Sequence, residues 1–464
     1  MELFMSRAGD DGLPGKERLF TMLAVMVTTT MNVFDASMIN IALPQMSASL
    51  GVSASDAVWV ANGYLLAVAM SLAIFSALAT RIGFRRQFMG GLILFTLSSV
   101  GCALSSSLSE LVVMRFMQGI GSAATLSIAP ALLRTIFPTR LLGRILGVNA
   151  LLIATCTAVS PLISGVLLVK LNWSWLFMIN IPLGVVAVTF SQRYLPKPDR
   201  LDTRPLDKIG ALFSVIMLGS TILCANTFSK HAISYNKQQA LLYAVAALIS
   251  GAAFVYRQRN TITPLLPLEI FSNQRFSLSA ITSFISFIAQ GITFIALPFL
   301  YESVYNYSPL TSALLFLPWP VGIIFAAPHA GRLADKKNPA IISTFGLVIF
   351  GIGLVLLSIL PQTPSVLDIA WINLICGVGF GLFQSPNNRE MMANVKEKHS
   401  SYASGVLAMM RTFGQCLGTA AIGIILSQPG SLASSSGNTV HLGLWFASGA
   451  VFLAILFSVC RIRT

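Results

Sequence analysis

Long apolar runs alternate with short polar loops along almost the whole chain. Most runs reach about twenty residues, the length that an α-helix needs to cross a bilayer. The runs are continuous rather than alternating apolar and polar, so they predict helices and not barrel strands. The fourteen predicted spans have cores at 19–43, 57–79, 88–108, 111–133, 145–169, 174–192, 209–228, 238–256, 276–300, 309–330, 340–360, 368–388, 403–427 and 440–460.

Composition leads to the same fold class. The 464 residues are 55% hydrophobic and only 10% charged, whereas soluble domains carry about 25% charged residues. No aqueous core could hold this much apolar sequence, so we expect an all-α polytopic membrane protein. The first apolar run is too long for a signal peptide and lacks a small-residue cleavage pattern, so it should be retained as the first span.

The distribution of positive charge predicts the orientation. With fourteen spans both termini lie on one side, and twenty-five of the thirty Lys and Arg then fall in tails or loops on that side. Three fall in loops on the other side, and Arg115 and Arg411 lie within spans. Cytoplasmic segments carry such an excess, so we expect cytoplasmic termini. The net charge of +14 then needs no nucleic-acid partner.

Two short basic turns indicate an internal repeat. Residues 76–86, S-A-L-A-T-R-I-G-F-R-R, and residues 331–338, G-R-L-A-D-K-K-N, join equivalent pairs of spans and share a Leu-Ala core. Related halves around a central site are typical of secondary transporters. The predicted organisation is a tail at 1–18, a six-helix bundle at 19–195, a linker and two-span insert at 196–275, a second six-helix bundle at 276–460 and a tail at 461–464.

Four motifs occur in order along the chain: F-D-A-S-M-I-N-I-A-L-P (34–44), L-V-V-M-R-F-M-Q-G-I-G-S-A-A (111–124), N-W-S-W-L-F-M-I-N-I-P-L-G (172–184) and F-Q-S-P-N-N-R (383–389). Together they resemble the major facilitator superfamily, in its fourteen-span drug:proton antiporter branch. The resemblance covers nearly the whole chain. It implies two six-helix bundles plus two extra spans, and multidrug-resistance-type transport.

Asp35 is the acidic residue that is clearly embedded in a span, because the other fifteen fall in tails, loops or span ends. Glu302 would join Asp35 within a span if span nine continued past it. A buried carboxylate favours its neutral form and is costly in lipid. We therefore expect Asp35 to load and release the coupling proton. The alternative is a structural aspartate that is hydrogen-bonded to a neighbouring helix.

Arg115 is the expected partner of Asp35. Asp35 lies about 24 Å along its span, and Arg115 lies about one turn into span four, so both are predicted in the outer half of the bilayer. A guanidinium keeps its charge and favours an ionised aspartate nearby. The resemblance implies a role for this arginine in proton transfer, while a packing arginine near the interface is the alternative.

The two basic turns are candidates for gating, through charge pairs and helix dipoles that hold helix ends together. The family usually has Gly and Asp where this chain has Ser76 and Thr80, and Gly where it has Ser160 and Ser164. The antiport motif is then reduced to Pro161 and Gly165, which a simple proline kink would also explain. The gating candidates are Arg81, Gly83, Arg85, Arg86, Gly331, Asp335 and Lys336.

Polar residues within apolar spans are candidates for lining a translocation cavity, although most such residues are interhelical hydrogen-bond partners instead. Abundant Met and Phe suit an adaptable lipophilic pocket, and an ionised Asp35 would suit a cation. Arg411 is a second buried cation that could bind an anionic group or cap a polar network. The candidates are Asn32, Asn40, Asn62, Tyr64, Gln118, Asn149, Gln290, Asn373, Gln384 and Arg411.

The resulting functional hypothesis is proton-coupled export of lipophilic or cationic toxic compounds by alternating access. A proton-coupled symporter or facilitator of a metabolite and a non-enzymatic receptor are the alternatives. The sequence lacks a P-loop for ATP and any His, Cys or acidic cluster for a metal or an enzyme. We expect no cofactor, a monomer in the bacterial inner membrane, and small molecules, protons and lipid as partners.

Overall fold

The computed structural model describes residues 12–138, 141–196, 206–227, 237–261, 263–334, 336–395, 400–427 and 438–463. Within these ranges the chain consists of helices and short turns, without a β-strand. The α-helices of the described ranges are α1 (Gly15–Leu50), α2 (Ala54–Ile82), α3 (Phe84–Leu104), α4 (Leu108–Leu126), α5 (Ala129–Ile136), α6 (Leu142–Lys170), α7 (Trp175–Met178), α8 (Asn180–Tyr194), α9 (Lys208–Thr227), α10 (Lys237–Asn260), α11 (Gln274–Phe299), α12 (Pro309–Phe316), α13 (Pro318–Ala334), α14 (Pro339–Ser358), α15 (Val366–Ala393), α16 (Ser400–Leu426) and α17 (Asn438–Arg463).

These helices form fourteen segments that are long and apolar enough to cross a membrane, counted over the described residues. Three segments consist of two helices each, namely α4 with α5, α7 with α8, and α12 with α13. The predicted fold class is therefore confirmed. Helix α11 continues through a π-helical turn at Leu300–Val304, which includes Glu302. Helix α17 continues to Arg463, past the predicted boundary at 460.

The helix ends show which residues set the turns. Four helices on one face of the bundle begin after a serine whose hydroxyl accepts a backbone N–H, at Ser53, Ser107, Ser308 and Ser365. Such caps satisfy N–H groups that the first helical turn leaves free. We call this side the serine face. The side on which α1 begins and α17 ends is the terminus face, where Gly83 turns α2 into α3 with a φ of +88°.

Most helix pairs lie within one of two groups of helices, which we call the two halves. In the first half α1 packs on α6 and α8, and α4 packs on α2 and α3. In the second half α11 packs on α16 and α17, and α15 packs on α13 and α14. The insert helices α9 and α10 pack on each other, and α9 also contacts α2 and α16. The insert therefore lies along one seam between the halves.

The two halves meet near the serine face. The largest apolar cluster joins Met38 of α1 and Val58 of α2 to Ile292 of α11 and Ile422 of α16. Near the terminus face each half has its own apolar cluster among the described residues. The seam is therefore sealed by buried apolar surface at the serine face. At the other end a smaller cluster joins Ile74 and Ala77 of α2 to α9, α10 and Leu266, which leads to the second half.

Asp207 fixes the base of the insert. Its carboxylate caps α9 by accepting the N–H of Gly210 at 3.0 Å and pairs with the Nε of Arg257 in α10 at 3.1 Å. Gln258 donates to the second carboxylate oxygen and accepts the N–H of Leu266, in the segment that leads to the second half. The buried Asp207 side chain thus contacts both insert helices and, through Gln258, the segment that leads to the second half.

Candidate functional site

Asp35 and Arg115 form an ion pair inside the first half. Arg115 Nη1 donates to Asp35 Oδ2, and each side chain is only 1% exposed. The two residues are 80 positions apart and belong to α1 and α4. Because water hardly reaches either side chain, both depend on partners within the protein for their hydrogen bonds.

Two amides complete the surroundings of the carboxylate. Gln118 Nε2 donates to Asp35 Oδ1 at 2.8 Å and to Ser99 Oγ at 2.8 Å. Asn180 Nδ2 donates to the same carboxylate oxygen at 3.2 Å. Helices α1, α4 and α8 therefore meet at one carboxylate, and α3 is linked to it through Gln118.

The guanidinium of Arg115 is held from three further directions. Its Nε donates to the carbonyl of Val60 in α2 at 3.0 Å, and its Nη1 also donates to Gln118 Oε1 at 2.7 Å. Its central carbon lies 4.3 Å from the ring centroid of Tyr64, whose hydroxyl is 2.7 Å from Ser122 Oγ. Such stacking is stronger when desolvated, so Arg115 is fixed in place.

Glycines bring α4 close to its neighbours. A Cβ on Gly119 would lie 2.5 Å from the carbonyl oxygen of Tyr64, and one on Gly121 would lie 2.6 Å from the backbone nitrogen of Phe95. Neither position has room for a side chain. Close backbone approach of this kind is what small residues permit in membrane helices, and here it positions Arg115 and Gln118.

Helix α6 connects the Asp35 region to the second half. Ser160 Oγ donates to the carbonyl of Phe34 at 3.3 Å, and Ser164 Oγ donates to the carbonyl of Met38 at 3.0 Å. On Gly165 a Cβ would lie 2.7 Å from the Cβ of Ala313 in α12. The two serines that depart from the family pattern thus bind the α1 backbone on both sides of Asp35. Pro161 lies between these contacts, inside α6.

The gating candidates lie on the terminus face. Arg81 donates to the carbonyl of Ala77 within α2, and Arg85 donates to the carbonyl of Gln192 at the end of α8. Gly331 lies beside Ser385 of α15. Arg86 and Lys336 are exposed, while Asp335 falls outside the described residues. Each of these three contacts stays within one half.

Most cavity candidates are interhelical hydrogen-bond partners. Asn32 donates to Thr125 Oγ1 at 3.1 Å within the first half, and Asn373 donates to the Tyr301 hydroxyl at 2.8 Å within the second. Tyr64 and Gln118 belong to the Asp35 site described above. These four side chains are at most 4% exposed, so they stabilise the halves and do not line an open cavity in this state.

The remaining cavity candidates include a contact between the halves, an exposed arginine and several half-buried amides. Asn62 accepts the Cys416 thiol at 2.9 Å across the seam between the halves, and Gln290 accepts the Gln415 amide at 2.9 Å. Arg411 is exposed, although it lies in the middle of α16. The half-buried group consists of Asn40, Asn149 and Gln384. Arg411 is therefore the charged candidate that faces open space.

Sequence inspection missed several partners. Asn180 and Ser99 were not singled out, although Asn180 lies in the quoted motif at 172–184 and is a polar residue in an apolar run. A second buried ion pair joins Arg461 Nε to Glu390 Oε2 at 3.4 Å, near the terminus face. Arg461 also donates to Ser279 Oγ at 2.9 Å. No sequence signal separated this arginine from an ordinary charged tail.

Comparison with known proteins identifies relatives over nearly the full length. The sequence profile of the Major Facilitator Superfamily matches residues 25–419. The uncharacterized transporter YebQ of Escherichia coli is 35% identical over 461 residues, which is 99% of this chain and 98% of that protein. The riboflavin transporter RibZ of Clostridioides difficile is 26% identical, over 97% of this chain and 98% of that protein.

Two further matches concern drug resistance and fold. The multidrug resistance protein Stp of Mycobacterium tuberculosis is 26% identical, over 89% of this chain and 76% of that protein. Among solved structures, a bacterial homologue of the human lysosomal transporter Spinster, inward-facing and unoccupied, superimposes with a TM-score of 0.69. That likeness covers 96% of this chain and 97% of the other at 16% identity, so it concerns the fold alone.

Proposed function

Because this chain belongs to the Major Facilitator Superfamily, we propose that it is a proton-coupled exporter of lipophilic small molecules. The chain is a multi-pass membrane transporter and not an enzyme. Export is favoured by the similarity to a protein described as conferring multidrug resistance. The terminus face, which carries the excess of Lys and Arg, is then the cytoplasmic face of a bacterial inner membrane.

The observation that carries the proposal is the buried pair of Asp35 and Arg115. In this state the carboxylate accepts a hydrogen bond from a guanidinium that cannot lose its proton. A proton on Asp35 would weaken the attraction between α1 and α4 and loosen the bonds from Gln118 and Asn180. The helices that meet at Asp35 could then change their packing, which is the two-state element that coupling requires.

The position of Asp35 links this change of helix packing to the opening of the serine face. Met38, one turn further along α1, belongs to the apolar cluster that seals the serine face. A proton that arrives from that face reaches Asp35 only when the seal opens. Through Ser160 and Ser164, α6 follows the α1 backbone beside Asp35, and through Gly165 it contacts α12 of the second half. Protonation and movement between the halves are thereby coupled mechanically.

The test uses protein reconstituted into liposomes with an imposed pH gradient. Wild-type protein should move lipophilic substrates against proton flux, and Asp35→Asn should abolish the dependence of transport on the gradient. Asp56→Asn is the matched control, because Asp56 is an exposed carboxylate at the start of α2. Proton flux and gradient-driven transport that are unchanged in Asp35→Asn would exclude this mechanism.

A metabolite carrier is the second candidate function. It is favoured by the similarity to a riboflavin transporter along nearly the whole chain. The direction of flux separates the two candidates. An exporter moves substrate out of the compartment that faces the terminus face when protons flow inward, whereas a symporter moves substrate and protons the same way.

A further inference from the structure

Arg411 combines two properties that are rarely found together. It lies eleven residues after the start of the 27-residue helix α16, about 16 Å along the helix axis. Its side chain is exposed. The face of α16 that carries Arg411 is turned toward α11, because Gly414 lies against Phe284 and Phe287 and Gln415 is bonded to Gln290. An exposed side chain on a helix face that is turned into the bundle lines a cavity between the helices.

No carboxylate neutralises Arg411 among the described residues. It makes no hydrogen bond or ion pair with any of those residues. The three acidic side chains at membrane depth lie elsewhere: Asp35 is paired with Arg115, Glu390 is paired with Arg461, and Glu302 lies in the π-helical turn near the serine face. The cavity beside Arg411 is therefore positively charged.

The surroundings of Arg411 are apolar or neutral. One turn away on the same face of α16 lie Leu407 and Gln415, both half-buried. The amide of Gln415 is bonded to Gln290 of α11. Helix α16 also forms part of the seam with α2, where Cys416 meets Asn62. Arg411 thus stands between the two halves, where an alternating-access transporter holds its substrate.

We propose that Arg411 is the anion-recognition residue of the substrate cavity, and that the substrate is an amphipathic organic anion that carries a carboxylate. This rests on the proposed transport function and narrows it, because the unpaired cation would repel the cationic compounds that sequence analysis allowed. A guanidinium binds a carboxylate through two parallel hydrogen bonds. The apolar neighbours suit the rest of such a molecule. An unpaired charge within a span is costly, and an anionic ligand removes that cost.

The test compares three probes with the same aromatic body: naphthaleneacetate, naphthaleneacetamide and naphthylethylamine. Binding to purified protein in detergent is measured by equilibrium dialysis without a pH gradient, and larger aromatic carboxylates extend the series. Wild-type protein should bind the carboxylates at least roughly tenfold more tightly than the amide or the amine, as expected for a charge-assisted pair. Arg411→Gln should lose this preference. Arg259→Gln, at an exposed arginine near the end of α10, should keep it.

A stability measurement shows whether the variant is folded and separates recognition from a structural role. Arg411→Gln removes an unpaired charge, so its unfolding temperature without ligand should equal or exceed that of wild type. An arginine that supports the fold would give a lower temperature. Carboxylate probes should raise the unfolding temperature of wild type and leave that of Arg411→Gln unchanged.

The outcomes distinguish this inference from the proposed coupling. Equal binding of the three probes, failure of every carboxylate to bind, or a preference that survives in Arg411→Gln would each overturn the assignment of Arg411. Carboxylate flux that depends on Arg411 but ignores the pH gradient would overturn proton coupling and leave the assignment standing.

Discussion

Substitutions at the buried ion pair should destabilise the protein unequally. Asp35→Asn leaves the Arg115 guanidinium desolvated, and that group cannot become neutral. Arg115→Met leaves a buried carboxylate that can become neutral by binding a proton. The double variant has neither charge. We therefore expect Asp35→Asn to be the least stable of the three at low pH, and the double variant to be more stable than the two single changes imply.

The structure sets the expected size of these effects. Removing one partner of a buried pair costs about 3–5 kcal/mol, and the 1% exposure of both side chains leaves little relief from water. Asparagine can still accept the bonds from Gln118 and Asn180, which places Asp35→Asn near about 3 kcal/mol. The unfolding entropy of a 464-residue protein is about 1 kcal/mol/K. The midpoint temperature of thermal unfolding should therefore be at least about 3 °C lower for Asp35→Asn than for wild type.

The assay is thermal unfolding of the detergent-solubilised protein at about pH 5 and about pH 8, with Asp56→Asn as a control. The folded state of Arg115→Met needs a proton on Asp35, so its stability relative to wild type should fall as pH rises. Asp35→Asn has no such proton to bind and should show no comparable trend. The double variant should recover more than half of the loss. Strictly additive losses that do not depend on pH would refute this account of the pair.

Two further predictions concern the seam and the packing of α4. Asn62→Cys should form a disulfide with the native Cys416 on oxidation, because the side chains at these two positions touch across the seam. Transport should stop on oxidation and return on reduction. The control, Asn62→Cys combined with Cys416→Ala, should stay active under both conditions. Gly119→Val should yield little folded protein by gel filtration because its Cβ would meet the Tyr64 carbonyl at 2.5 Å, whereas Gly90→Ala, with nothing within 4 Å, should behave as wild type.

Several residues of the candidate site could be predicted from the sequence, but the contacts between them could not. Asp35 and Arg115 stood out because charges are rare within spans. Their contact depends on the tertiary structure. The same holds for the hydrogen bonds from Gln118 and Asn180, which are 83 and 145 residues away from Asp35. Glu390 and Arg461 were assigned to span ends and a tail, yet they are buried together. Distance along the chain gives no information on such pairs.

The fourteen helices and the rare charges within them follow from the order of residues alone. In lipid a backbone must satisfy its own hydrogen bonds, so an apolar run of about twenty residues has few alternatives to a helix. Which side of each helix faces protein, lipid or cavity depends on how the helices pack. Lipid and protein interior are both apolar, and the periodic contrast that marks the buried face of a soluble helix is therefore weak. For that reason Tyr64 and Asn373 were grouped with Arg411 in sequence, whereas the fold buries the first two and leaves Arg411 facing open space.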